Sequence, residues 1–193
     1  MIVADLAVRV SAADWHRVRI SGWGGVAVLL AVIILSWVGY HNNRRALGDR
    51  LERFWSKRFA QYAVEIVILG VYFAMGLRLD LPDRNHPSHL DGTPSAFWTT
   101  ACLVAVFALY FVWDLFDVSI AKARDDTAWA AKARRGRLVT LAFWAALTLV
   151  LAAATVLRPR TSAWVAAVDT ILVALLYVYR VKQEIEREKA APN

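Results

Sequence analysis

Five apolar stretches, residues 22–40, 59–77, 95–118, 138–157 and 162–179, contain no Lys, Arg or His. Each is close to the roughly 20 residues with which a helix crosses about 30 Å of hydrocarbon. A backbone in lipid has no water to bond, so uninterrupted apolar runs of this length are expected to satisfy their own N–H and C=O groups as helices. The expected fold is therefore all-α: a polytopic membrane protein, one membrane domain built as a five-transmembrane-helix bundle with short cytoplasmic and interfacial helices. Composition agrees, because 59% hydrophobic residues and 9 Trp in 193 residues are too apolar for an ordinary soluble domain. The first apolar run is long and no small-residue cleavage pattern follows it, so it is expected to stay in the mature protein.

Orientation follows from the cations, since cytoplasmic segments retain an excess of Lys and Arg near span ends. Residues 41–58 carry six of them and residues 119–137 another six. With the C-terminal tail the side so defined holds sixteen, against seven on the other. The expectation is N-terminus out and C-terminus in, in a bacterial cytoplasmic membrane. The net charge of +7 is accounted for by this asymmetry and by attraction to anionic lipid headgroups, and it is no argument for nucleic acid. Leu47, Leu51, Phe54 and Trp55 fall on one helical face with arginines between them, the pattern of an elbow along the inner leaflet. Arg44, Arg45, Arg50 and Arg53 there, with Arg134 and Arg135 in the second basic loop, are candidate docking residues for lipid headgroups or a cytoplasmic protein partner. Residues 125–137 begin acidic and end basic, with Gly136 as a break before the fourth span, so a short cytoplasmic helix or an extension of the third span is expected.

Four carboxylates are nevertheless admitted to the apolar spans: Glu65, Asp114, Asp117 and Asp169. An acid at mid-membrane costs about 2.5–3.5 kcal/mol on insertion scales, so each needs a partner or a function. Counted from the cytoplasmic span ends at about 1.5 Å per residue, Asp117 lies about 1.5 Å deep, Asp114 about 6 Å, Glu65 about 9 Å and Asp169 about 15 Å. They form an acidic series from the inner surface towards the midplane. Asp114 and Asp117 share a helical face that Tyr110 extends, Glu65 lies near Gln61, Tyr62 and Tyr72, and Asp169 adjoins the row Ala166, Thr170 and Ala174.

Two functions fit such a series. One is a cation or proton channel or carrier whose ion pathway uses Glu65, Asp114, Asp117, Asp169, Tyr62, Tyr72, Tyr110 and Thr170, in a homo-oligomer that closes the pore. The other is a membrane-embedded interaction subunit, for instance of a bacterial stress or defence system, in which the acids only lock helices together and the basic loops hold a partner. Against a complete pathway within one subunit, the outer half offers as polar groups only Tyr72, Thr99, Thr100, Thr148 and Thr155.

Enzymatic chemistry is not expected. The sole cysteine, Cys102, excludes an intrachain disulfide and a cysteine metal site. No nucleophile constellation or glycine-rich phosphate loop occurs. His86 and His89, in a polar loop with three Asp, are metal-ligand types without a metal-site spacing. No cofactor is expected.

Overall fold

Self-contained helical hydrogen bonding is what the apolar runs adopt, and the helices overshoot them. The computed structural model describes residues 7–8, 11, 13, 20–47, 56–77, 79, 95–123, 127–157 and 162–190. Among the described residues there are five long helices: α1 Ile20–Leu47, α2 Lys57–Leu77, α3 Ser95–Ala123, α4 Thr127–Leu157 and α5 Ser162–Ala190. The all-helical expectation holds. Three of the five carry segments long and apolar enough to cross a membrane, Lys57–Leu77, Ala96–Ile120 and Ala133–Val156, whereas α1 and α5 carry the shorter apolar stretches Trp23–Trp37 and Ala163–Tyr179.

α3 is the hub and touches each of the other four helices, with its largest interfaces against α4 and α2. α1 pairs mainly with α5, and these two close the other side. The pairings fix direction. Lys57 meets Ser119, Glu65 meets Trp113 and Tyr72 meets Tyr110, so α2 runs antiparallel to α3. Asp114 meets Thr140, and Phe107 stacks on Phe143 with ring centroids 5.7 Å apart, so α4 is antiparallel to α3 as well. Residues near the starts of α1, α3 and α5 (Gly24, Gly25, Ala96, Thr99, Ala166) line one crevice, which puts those three N-terminal ends together. Successive helices therefore alternate in direction.

Inside the bundle lies an apolar core that includes Leu29, Ile68, Met75, Leu103, Val106 and Leu147. Outside, large aliphatic side chains face outward along the helices, among them Val67, Leu69, Leu149, Val156, Ile171 and Val178. An apolar exterior around an apolar core is the surface that lipid, not water, solvates. Trp23 and Trp98 are exposed at the end where α1 and α3 begin.

Glycines mark where helices meet closely and where they do not. A Cβ on Gly24 would come 3.4 Å from Thr170 Oγ1 and 3.6 Å from Ala166 Cβ, so the small residues expected on the fifth span do seat a neighbouring helix, α1. A Cβ on Gly70 meets nothing within 4 Å. Gly70→Ala is therefore expected to be neutral or stabilising by about 0.5–1 kcal/mol through helix propensity, read as an unchanged or raised unfolding midpoint in detergent.

One local expectation is revised, and a second lies largely outside the described residues. Gly136 does not break the helix, because Thr127–Leu157 is continuous, and the helical extension belongs to α4 as well as α3. The glycine lies beside Asp114, whose Oδ1 is 3.8 Å from where a Cβ would stand. Its use is close approach, not termination. The elbow falls largely outside the described residues: Leu47 ends α1 and residues 56–57 resume, while 48–55, including Arg50 and Arg53, are not described.

Candidate functional site

The polar contacts that α3 makes in the interior fall into two sets. Towards its C-terminal end four contacts tie it to its antiparallel neighbours. Tyr72 and Tyr110 hydroxyls lie 3.3 Å apart, Trp113 Nε1 donates to Glu65 Oε1 at 3.0 Å, Thr140 Oγ1 donates to Asp114 Oδ2 at 2.8 Å, and Lys57 Nζ donates to Ser119 Oγ at 2.6 Å. Asp117 is buried in the same region. Glu65 and Asp114 sit on interhelical seams, where a polar donor from the opposite helix reduces the cost of placing each away from water.

Asp169 stands apart. Thr100 Oγ1 is 2.6 Å from its Oδ2 and 2.8 Å from Ala96 O, one turn back on α3. Thr100 precedes Tyr110 by ten residues, or about 15 Å of helix rise, and Asp114 by fourteen, or about 21 Å. Leu103, Val106 and Phe107 fill the intervening part of α3 and are all buried. The four acids are thus divided into an inner group of three and a distant fourth, with an apolar layer between them.

Asp169 is only 1% exposed. Its second oxygen, Oδ1, is buried and has no hydrogen-bond partner. It lines a crevice of about 180 Å³ bounded by Gly24, Gly25, Val28, Ala96, Thr99 and Ala166. Leu79 packs at Gly25. The crevice exists because three successive choices keep side chains short: two glycines on α1, an alanine at the start of α3 and an alanine on α5.

The remaining expected residues fall as follows. Tyr72 is fully buried, whereas Tyr62, 45% exposed, looks outward from α2 and does not join the interior contacts. Gln61 is buried, with Nε2 lacking a partner. Thr170 turns its hydroxyl back to Ala166 O at 2.7 Å and flanks Gly24. Arg134 and Arg135 are exposed near the start of α4, and Arg44 and Arg45 lie in the last turn of α1. His86 and His89 lie outside the described residues, among which no cluster of metal-ligating side chains occurs.

The sequence reading did not pair the acids with Thr100, Thr140 or Trp113. A signal was present for the threonines: each follows a small residue by four, as Ala96–Thr100 and Gly136–Thr140, which combines close approach with a hydroxyl on the same face. No protein-family model, no curated protein and no solved structure matches this chain.

Proposed function

We propose that the protein is an oligomeric multi-pass protein of a bacterial cytoplasmic membrane that provides a conduction pathway for cations or protons. In this reading all five helices cross, with the starts of α1, α3 and α5 outside and the cation-rich ends inside. The alternation of helix direction and the excess of Lys and Arg on one side support it. Asp169 is then the outer ion-binding group, and Glu65, Asp114 and Asp117, with Tyr72 and Tyr110, form the inner vestibule. Leu103, Val106 and Phe107 between them have the character of a hydrophobic gate, which conducts only when the helices part and water enters.

The observation that carries the reading is Asp169: a carboxyl 1% exposed, with one oxygen unpartnered, is an expensive arrangement for a group whose task is only to hold helices together. Purified protein in liposomes under an imposed proton or cation gradient should dissipate the gradient faster than protein-free liposomes, and equal rates would remove the reading. A second reading, a subunit that docks a cytoplasmic partner, draws on the outward placement of Arg134 and Arg135. It requires that Asp169→Asn be silent and that charge reversal at Arg44, Arg45, Arg134 and Arg135 abolish association.

A further inference from the structure

The hydrogen bonds around Thr100 suit a protonated Asp169; Thr140 makes the same pair of contacts, to Asp114 Oδ2 at 2.8 Å and Gly136 O at 3.1 Å, so the added observation at Asp169 is its unpartnered Oδ1. A threonine hydroxyl has one proton to donate, yet Thr100 Oγ1 is within hydrogen-bond distance of two oxygens, Asp169 Oδ2 at 2.6 Å and Ala96 O at 2.8 Å. A backbone carbonyl can only accept. If the hydroxyl donates to Ala96 O, the Asp169 contact is satisfied only when the carboxyl brings its own proton. The unpartnered Oδ1 points the same way: as the C=O oxygen of a neutral carboxyl it loses far less by going without a donor than as half of a carboxylate.

The donor set disfavours the competing occupant. A metal cation exchanges its hydration shell for several protein oxygens. The described lining of the crevice offers Thr99 and Asp169 as the only polar side chains. A bare proton needs no cavity.

We propose that Asp169 is a proton-binding site, loaded on Oδ2 and read by Thr100, and that a proton, not a metal cation, is the species the crevice accepts. The inference rests on Asp169 being the ion-binding group of the pathway. When the carboxyl is loaded, its O–H donates to Thr100 Oγ1 and the Thr100 hydroxyl donates to Ala96 O. When it gives its proton to water, Thr100 turns its own hydroxyl to the carboxylate and releases the Ala96 carbonyl, so one proton leaves and no other bond to hydrogen is broken. Among the described residues, the groups facing Asp169 are Gly24, Gly25 and Val28 from α1, Ala96, Thr99 and Thr100 from α3, and Ala166 from its own helix. None of these is charged or titratable, so among them Asp169 is the group that titrates.

Infrared difference spectroscopy on the whole protein in liposomes, between acidic and alkaline buffer, tests this. The C=O stretching region of protonated carboxyls should contain in the wild type a component that is missing in Asp169→Asn and shifted in Thr100→Val, which keeps the carboxyl but removes its hydrogen-bond acceptor. Exchanging sodium, potassium or calcium at constant pH should leave it unchanged. A spectrum that Asp169→Asn leaves unchanged, or a component that a metal salt removes at constant pH, overturns the proposal. Flux measured on the same liposomes separates it from the parent reading: the band without flux upholds the proton site and removes conduction, whereas flux with no Asp169 band keeps conduction and removes the proton site.

Discussion

Asp169→Asn is expected to lower the rate of gradient dissipation by about tenfold or more, consistent with the weight a positioned proton-transfer group usually carries. The substitution preserves shape and leaves an amide oxygen to accept from Thr100 at the place now held by Oδ2, 2.6 Å away. It removes the ability to bind and release a proton or to attract a cation. Fold and helix content should be retained, because asparagine at this depth replaces one polar group by another that the Thr100 hydroxyl can satisfy. Glu65→Gln and Asp114→Asn should each reduce the rate by a smaller factor, since the inner acids act together as an attracting vestibule and each retains its donor, Trp113 or Thr140. The initial rate in liposomes of matched protein content is the measurement. An unchanged rate in Asp169→Asn, with the protein correctly inserted, would make that carboxyl a structural clamp and favour the docking reading.

Gly24→Leu is expected to destabilise the bundle by about 1–3 kcal/mol, the range for forcing bulk into a filled interface. A Cβ alone would rest at ordinary contact distance, 3.4 Å from Thr170 Oγ1 and 3.6 Å from Ala166 Cβ, so Gly24→Ala should stay close to wild type. The further carbons of leucine have no space between α1 and α5 and must push the two helices apart. That displacement acts on the crevice wall beside Asp169, so flux should change along with stability. Denaturant titration in detergent, followed by tryptophan fluorescence, gives the comparison. Equal midpoints for Gly24→Leu and wild type would mean that α1 and α5 are not in close contact.

The fold was legible because hydrocarbon leaves the backbone few options: each cation-free run longer than about 17 residues is helical. Helix ends were less so. Gly136 reads as a terminator by propensity, yet its neighbours across the α3–α4 seam use its missing side chain for Asp114, and propensity says nothing about seams. The site was legible in its acids and not in their grouping. Depth counted along separate helices placed Asp169 at the top of one continuous series, whereas its partner is Thr100, near the start of α3 and about 15 Å of helix from Tyr110. Which helices neighbour one another is decided by packing, and Thr100, Thr140 and Trp113 become visible as partners only once α3 is known to be the hub. Tyr62 shows the same limit from the other side: one residue from Gln61, it turns outward while Gln61 is buried.

The account depends most on α1 and α5 crossing the membrane with the three longer apolar helices, because they provide the crevice and Asp169. Cysteines introduced as Ser11→Cys and Lys189→Cys and probed in intact cells with a membrane-impermeant thiol reagent report this directly, with Cys102, buried in α3, as a silent background. The account predicts labelling at position 11 and none at position 189. Labelling at 189 and none at 11 would contradict it: that is the pattern given by α2, α3 and α4 crossing alone in the same orientation, with Asp169 outside the bilayer, or by the whole bundle inverted.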